Sequence, residues 1–247
     1  MINVFFAATG PLENDFAAHL ALLPEGRRQK IARLKRPDDQ KRSLAAGLLL
    51  RQFLGVTKDE DLAYNHHGQP RLASPGPYFS LSHCGEMAAL AIGSSPLGLD
   101  LERKRPNLNW ERLALAILTP AEREALKLWP NSEEFVLAAF TLKESLAKAT
   151  GLGITRQGLM VEALAKGQLD QQPQDLTAKD PRPQERRPNE EPSSETKWRW
   201  GHRLVLGYHL AVCSAQVVNL KCFEVLDLPA NPRPRLLTSK ILWPLDF

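Results

Sequence analysis

The segment Leu97–Arg103 constrains the fold more than any other short stretch, because its side chains alternate strictly. Leucine occupies every second position, and Gly98, Asp100 and Glu102 lie between the leucines. Side chains of a β-strand point to opposite faces with a period of two, so the segment predicts a strand with one leucine face and one carboxylate face. Neighbouring carboxylates repel unless a positive group lies between them, and Mg²⁺ prefers oxygen ligands of this kind. The alternative is a solvated strand face on which Glu102 pairs with Arg103 or Lys104.

The composition is that of a globular protein with enough residues for a sizeable core. The chain has 247 residues, of which 43% are hydrophobic and 24% are charged, as in ordinary folded domains. The net charge of +4 permits an acidic or phosphorylated partner but selects none. The three cysteines show neither metal-binding spacing nor a paired disulfide framework, which fits a reducing compartment. The chain starts without the basic region of a signal peptide and has no apolar run of membrane-spanning length, so we expect a cytoplasmic protein without membrane contact.

A basic segment precedes the acidic strand. Between Arg27 and Arg42 there are eight lysines and arginines, which either form the solvated face of a helix or bind a phosphorylated ligand through charge-assisted hydrogen bonds. No aromatic residues are interleaved and no nucleic-acid motif is present, so a nucleic-acid partner is not expected. Asp38 or Asp39 is a candidate cap for a helix that ends at Gly55, and Arg42 then lies in its first turn, within reach of a ligand.

Two predicted turns place further polar groups at strand ends. Asn65–Pro70 has the composition of a turn, and its adjacent histidines are better explained as surface residues than as metal ligands. Tyr78–Ser82 and Met87–Ile92 predict two strands joined by a tight turn. Ser82 and His83 therefore lie at a strand end, where anion binding and a structural role for the histidine both remain open. A Ser-His nucleophile is not supported, because no G-x-S-x-G elbow is present.

Two helices are predicted after the acidic strand. Thr119–Glu122 forms a capping box with proline at the first helical position, which starts a short helix. Asn131 or the serine after it starts a longer helix that Gly151 ends. The middle of this helix is apolar nearly all round and is interrupted by three charged residues: Lys143, Glu144 and Lys148. A surface i,i+4 pair contributes only a few tenths of a kcal/mol. A buried charge is costly unless it is paired or bound to an ion. The apolar surroundings therefore favour charges that are paired or bind a ligand over a solvated surface pair of Glu144 and Lys148.

Four short blocks of the sequence together form a recognisable signature. They are Gly68-Gln69-Pro70, Phe79-Ser80-Leu81-Ser82-His83, Gly98-Leu99-Asp100-Leu101-Glu102 and Phe140-Thr141-Leu142-Lys143-Glu144-Ser145-Leu146-Ala147-Lys148. In this order and spacing they resemble the 4′-phosphopantetheinyl transferases of the surfactin-synthetase (Sfp) type. The resemblance covers roughly residues 35–154. It is specific because the Gly-x-Asp-x-Glu block is followed, about forty residues later, by the Lys-Glu-Ser-x-x-Lys helix.

The resemblance implies an enzyme, a holo-[acyl-carrier-protein] synthase or 4′-phosphopantetheinyl transferase. Such enzymes transfer the phosphopantetheine arm of coenzyme A to a serine of an apo acyl or peptidyl carrier protein and release adenosine 3′,5′-bisphosphate. By position, Asp100, Glu102 and Glu144 would hold Mg²⁺ against the pyrophosphate, with Glu102 binding either directly or through a water, in agreement with the oxygen ligands expected on the strand. Glu144 would take the proton of the carrier serine, and Lys148 would stabilise the leaving phosphate.

The resemblance also implies a coenzyme A site. Its residues would be Lys35, Arg36, Arg42, Gly68, Gln69, Pro70, Ser82, His83 and Lys143. Ser82 and His83 would bind a phosphate with Arg42 as a basic partner, while Lys143 would assist or pair with a carboxylate. The family usually has lysine where this chain has Gln69. That departure would weaken coenzyme A binding unless a nearby arginine substitutes.

The fold implied by the resemblance is α+β, with two similar α/β halves about a pseudo-twofold and the ligand cleft between them. We place the halves at 1–98 and 99–247, and a monomer would suffice for this arrangement. The segment at about 166–197 has few large apolar residues, so we expect a flexible loop there. Two other functions remain open: a non-catalytic module that binds coenzyme A or a carrier protein, and a metal-dependent phosphohydrolase.

Overall fold

The computed structural model describes residues 1–153, 176–177, 197–215, 218–226, 228 and 233–237. Helices and strands are mixed along the chain, so the α+β fold class is confirmed. In chain order the elements are β1 (Ile2–Ala8), α1 (Phe16–Ala21), α2 (Glu25–Ala32), α3 (Pro37–Leu54), β2 (Leu62–Tyr64), β3 (Pro70–Leu72), β4 (Tyr78–Cys84), β5 (Met87–Gly93), β6 (Leu97–Glu102), α4 (Trp110–Ile117), α5 (Pro120–Leu126), α6 (Ser132–Thr150), β7 (Leu176–Thr177), β8 (Lys197–Val205), β9 (Tyr208–Ser214), β10 (Leu220–Leu226) and β11 (Arg233–Leu236).

The first compact unit contains Met1–Ser94 together with the described residues from Leu220 onward. Its five-stranded sheet has the order β11-β10-β1-β5-β4. In this sheet β1 is parallel to β10 and antiparallel to β5. Helix α3 contributes a run of fully buried residues, including Leu48 and Leu49, to the core that the sheet also lines. Val225 of β10 belongs to the same core, so the chain returns late to complete this unit.

Helix α3 begins before the position that its acidic residues predict. The prediction that Asp38 or Asp39 caps the helix is wrong, because Arg36 occupies the N-cap position and Pro37 the first helical position. Proline fits there because its missing N–H would have no partner inside the helix in any case. The two aspartates lie in the first turn instead, where negative charge is favourable. The helix ends at Gly55 with φ 68°, as predicted.

The second compact unit contains the described residues between Ser95 and Asn219. Its sheet has the order β6-β9-β8-β7, with antiparallel neighbours. The register places nine residues of the three longer strands on one face: Gly98, Asp100, Glu102, His209, Ala211, Cys213, Trp200, His202 and Leu204. Helix α6 packs on this face, where Leu146 and Ala149 cluster with Cys213.

The two helices predicted after the acidic strand are confirmed in the second unit. Thr119 and Glu122 form the capping box that starts α5. The side chain of Asn131 caps α6 by accepting from the Glu134 N–H, and Gly151 ends α6 with φ 70°. These caps fix where α6 starts and stops, and hence which of its residues reach the sheet.

The two units divide the chain after Ser94 and again before Leu220, so the first unit is discontinuous in sequence. The halves at 1–98 and 99–247, and their pseudo-twofold, stay predictions. The flexible loop predicted at about 166–197 lies outside the described residues, except for β7 and the first residue of β8. Among the helices of the described ranges, none combines the length and apolar character needed to cross a membrane.

Candidate functional site

Gly98 allows α6 to lie directly against the acidic strand. A Cβ atom at this position would be 1.9 Å from the carbonyl oxygen of Ser145 and 2.4 Å from the backbone nitrogen of Ala149. Only glycine leaves this space to the backbone of the helix. Two residues further along the same strand face, Asp100 is only 5% exposed. The alternative of a solvated acidic face is therefore excluded for Asp100.

Helix α6 brings a lysine to the buried aspartate. The Lys148 ammonium donates to Asp100 Oδ1 at 2.7 Å, with the lysine side chain 29% exposed and the aspartate side chain 6% exposed. At the end of the strand, the Arg105 guanidinium donates to Glu102 Oε2 at 2.9 Å. Each strand carboxylate thus has a cationic neighbour, and the one beside Asp100 comes from the opposing helix.

Glu144 lies one helical turn before Lys148, and both carboxylates of the strand act on it electrostatically. Burial raises the pKa of Glu144 to about 7, and the Asp100 and Glu102 carboxylates push it in the same direction while Lys148 lowers it. A carboxyl group in apolar surroundings beside like charges favours its neutral form. The three carboxylates predicted from the sequence are therefore near enough for their charges to interact.

The donor set of Asp100, Glu102 and Glu144 fits a hard divalent cation by its chemistry. All three supply carboxylate oxygens, which Mg²⁺ prefers, and a positive ion would offset the repulsion from Asp100 and Glu102 that adds to the effect of burial on the pKa of Glu144. As the side chains stand, no three His, Cys, Asp or Glu residues of the described ranges are arranged to hold a metal ion. The three carboxylates are therefore suitable ligands for Mg²⁺, but their side chains would have to move to coordinate one ion together.

Lys143 is held in a buried ion pair. It is 3% exposed, and its ammonium donates to Glu122 Oε2 at 2.7 Å and to the carbonyl oxygen of Ile117 at 2.6 Å. Glu122 Oε2 also accepts from the Thr119 N–H at 2.9 Å, which is half of the capping box. Of the two roles that the resemblance implies for Lys143, contact with coenzyme A or a pair with a carboxylate, the structure shows the pair, at the α4–α5 junction.

In the first unit, three of the predicted phosphate-binding residues act on one aspartate. The Arg42 guanidinium donates to Asp39 Oδ1 and, at 2.6 Å, to the carbonyl oxygen of Gly85 in the turn after His83. The hydrogen bond from Arg42 is the largest cause that lowers the pKa of Asp39, and the charges of Arg42, Arg36 and His83 add to it. This basic cluster joins the start of α3 to the β4–β5 turn. Nearby in sequence, Ser82 is buried in β4 and Lys35 is exposed.

The Gly68-Gln69-Pro70 block lies in a turn that Asn65 organises. Asn65 Oδ1 accepts from the backbone N–H groups of His67 at 3.0 Å and Gln69 at 2.9 Å. Gly68 has φ 77°, which favours glycine, and Pro70 begins β3. The Gln69 side chain meets the Asn65 amide at 3.4 Å. The residue that replaces the family's usual lysine is thus part of the turn itself.

Sequence reasoning missed two acidic residues and one histidine pair. The sequence pattern indicates only a helix cap at Asp39 and half of a capping box at Glu122, although each also binds a basic residue of the predicted site. His202 and His209 are buried on the carboxylate face of the sheet, with His209 Nδ1 3.2 Å from His202 Nε2. Their spacing alone gave no signal, because the register of β8 and β9 brings them together.

A comparison with protein families identifies the segment that holds this site. Residues 96–213, which hold the carboxylate cluster and α6, match the model of the 4′-phosphopantetheinyl transferase superfamily. The 4′-phosphopantetheinyl transferase AcpT of Escherichia coli O157:H7 is 31% identical over 135 residues, which is 53% of this chain and 67% of that protein. The chain belongs to the 4′-phosphopantetheinyl transferase superfamily, and the resemblance found in the sequence is confirmed.

Two other relatives match over a smaller share of their own length. The 4′-phosphopantetheinyl transferase HetI of Nostoc sp. is 32% identical over 142 residues, or 51% of this chain and 60% of that protein. The 4′-phosphopantetheinyl transferase Sfp of Bacillus subtilis strain 168 is 24% identical over 144 residues, or 55% of this chain and 63% of that protein. The match therefore spans about three fifths of the length of these two relatives.

Proposed function

We propose that this protein transfers the 4′-phosphopantetheine arm of coenzyme A to a serine of an apo acyl or peptidyl carrier protein, releasing adenosine 3′,5′-bisphosphate. One observation carries the proposal. Asp100 and Glu102 share a strand face with Glu144 and Lys148 above it, inside the segment that matches the transferase superfamily. Carboxylates beside a lysine suit a reaction in which negative phosphate oxygens must be held and neutralised.

In this proposal Asp100, Glu102 and Glu144 hold Mg²⁺. When bound, the ion neutralises charge on the pyrophosphate of coenzyme A and orients it. The fit rests on three oxygen donors: burial raises the pKa of Glu144 most, and the charges of Asp100 and Glu102 raise it further. Lys148 remains beside the site through its contact with Asp100 and supplies a further positive charge for a phosphate oxygen.

The transfer step needs a group that removes the proton from the carrier serine. The serine oxygen forms a bond to the phosphorus that carries pantetheine, and the bond from that phosphorus to the bridging oxygen breaks. The electron pair leaves with adenosine 3′,5′-bisphosphate, whose new phosphate charge Lys148 stabilises. Glu144 is proposed to accept the serine proton, directly or through a water, because it is the carboxylate of α6 that lies beside Lys148 and the strand carboxylates.

The basic cluster of the first unit is proposed to bind the phosphates of coenzyme A. Arg36, Arg42 and His83 already act together on Asp39, so the structure has a concentration of positive charge there. Ser82 and Lys35 lie next to these residues in sequence and complete the proposed set. The turn of Gly68, Gln69 and Pro70 is proposed for the adenine side. Lys143 is left out of the phosphate contacts, because it is buried in its pair with Glu122.

A single assay tests the proposal. The protein is incubated with coenzyme A, Mg²⁺ and an apo carrier protein, and the intact mass of the carrier is measured. We expect the mass of the carrier to rise by one phosphopantetheine group. Coenzyme A breakdown with an unmodified carrier would instead indicate a phosphohydrolase, and binding without any reaction would indicate a non-catalytic module.

Variants connect the assay to the site. Glu144→Gln and Asp100→Asn each remove one carboxylate charge with little change in shape, so we expect each to abolish transfer while the protein stays folded. Glu124→Gln is the matched control, since Glu124 is an exposed residue of α5 paired with Lys127. Full transfer by the Glu144 or Asp100 variant would contradict the assignment.

A further inference from the structure

The buried pair of Lys143 and Glu122 lies on the side of α6 that faces away from the acidic strand. We propose that this pair is a positioning device, which fixes the rotation of α6 and so holds Glu144 and Lys148 toward β6. The inference rests on the proposed function for its kinetic consequence. Its structural part, the coupling between Lys143 and Glu122, can be measured without any activity.

The contacts of the Lys143 ammonium join three helices at one point. Ile117, whose carbonyl oxygen it binds at 2.6 Å, is the last residue of α4. Glu122 belongs to the first turn of α5, and its carboxylate meets the ammonium at 2.7 Å. The same carboxylate oxygen accepts the Thr119 N–H. A single residue of α6 is therefore bonded to the end of one helix and to the start of the next.

Helical geometry turns this anchor into a constraint on the site. Successive residues of an α-helix are about 100° apart around the axis, so Lys143 and Ser145 lie nearly on opposite sides. The Ser145 and Ala149 backbone touches β6 at Gly98, while Lys143 holds the other side. Glu144 lies between these two anchors in sequence. A rotation of α6 about its axis would move Glu144 and Lys148 relative to Asp100, and the buried pair opposes that rotation.

Burial argues against a direct contact of Lys143 with coenzyme A. The side chains of Lys143 and Glu122 are 1% and 0% exposed. To reach a phosphate, the ammonium would have to leave both of its partners, and the Glu122 carboxylate would remain buried without its cation. Removing one member of a buried ion pair is strongly unfavourable, whereas replacing both members is often tolerated. This difference supplies the test.

The test compares two single variants with their combination. Lys143→Met removes the ammonium and keeps the length of the side chain, and Glu122→Gln removes the charge while its amide oxygen can still accept the Thr119 N–H. The double variant removes both charges. Each is examined by urea unfolding, by amide hydrogen exchange of α6, and by transfer kinetics at a temperature where it is folded. Lys127→Met, at an exposed pair with Glu124, is the control.

We expect each single variant to unfold at lower urea and to exchange the α6 amides faster, with kcat lowered about tenfold or more and KM for coenzyme A nearly unchanged. The double variant should regain most of the urea midpoint, the exchange protection and kcat. If Lys143 instead bound coenzyme A, the double variant would not regain transfer, because it would still lack the ammonium. A double variant that is stable but has lost transfer, or a folded single variant with full kcat, would overturn the proposal. If the wild-type protein transfers nothing, the proposed function fails, and the urea and exchange cycle still decides whether the pair holds α6.

Discussion

Replacing Gly98 by alanine tests whether the close approach of α6 to β6 holds the site together. The added Cβ would meet backbone atoms of α6, with the nearest, the Ser145 oxygen, at 1.9 Å. Opening that contact to an ordinary 3.4 Å requires a movement of about 1.5 Å, and backbone cannot move aside as a side-chain end can. Overpacking of this kind costs about 1–3 kcal/mol of the free energy of unfolding.

The same movement should separate Glu144 and Lys148 from Asp100. The Lys148–Asp100 contact of 2.7 Å would lengthen beyond hydrogen-bond range unless the side chains follow. Since a misplacement of about 1 Å can cost on the order of a hundredfold in rate, we expect kcat for transfer to fall by roughly that factor. The free energy of unfolding is measured by urea denaturation and kcat by carrier mass against time.

The matched control is Gly10→Ala, because a Cβ on Gly10 meets nothing within 4 Å. That variant should keep both the stability and the activity of the wild type. Gly98→Ala with wild-type stability and kcat would show that α6 accommodates the methyl group without consequence. The reasoning from backbone contact would then be wrong.

Three further predictions concern pH, coenzyme A binding and metal. Burial, with the charges of His209 and Arg203, lowers the pKa of His202 from 6.5 to about 3. The unfolded chain therefore binds a proton that the folded chain does not, so stability should fall as the pH drops from about 6.5 toward 3, and the buried His209, whose pKa is also lowered, adds to the fall; urea unfolding should show a shallower dependence of stability on pH in His202→Gln. Arg42→Ala should raise KM for coenzyme A about tenfold with kcat little changed, because its guanidinium is proposed to bind a phosphate of coenzyme A away from the reacting atoms. Unchanged KM would remove Arg42 from the site. Excess chelator should stop transfer and added Mg²⁺ should restore it, with the unfolding temperature nearly constant; transfer that persists in chelator would contradict the metal role.

The acidic strand was predictable from sequence because its information is local. The alternation over Leu97–Glu102 placed Asp100 and Glu102 on one face, and the structure confirms this register. The caps of α5 and α6 were equally local. The alternation could not show that Gly98 is the point where α6 touches the strand, since that contact joins residues almost fifty positions apart in sequence.

The partners of the charged residues were the part that sequence could not supply. Lys143 and Glu122 are 21 residues apart, and neither residue indicates that the other will be buried beside it. The predicted cap of α3 was wrong because Pro37 takes the first helical position and moves the start of the helix ahead of the aspartates. Asp39 then lies in the first turn, where it accepts a hydrogen bond from Arg42. Where chemistry depends on the register of distant strands, as for His202 and His209, the linear pattern carries no signal.

The parallel pairing of β1 with β10 has a consequence for how the chain reaches its folded state. β10 follows β1 by more than two hundred residues in the chain, so β1 is synthesised well before its parallel neighbour. The segment from Ser95 to Asn219 is therefore an insertion within the first unit. During translation this insertion is made before β10, the strand that pairs with β1 in the five-stranded sheet. Until β10 is made, the edge of β1 that pairs with it stays unpaired. A truncation placed before Leu220 would remove its parallel neighbour and leave the first unit with an unpaired strand edge.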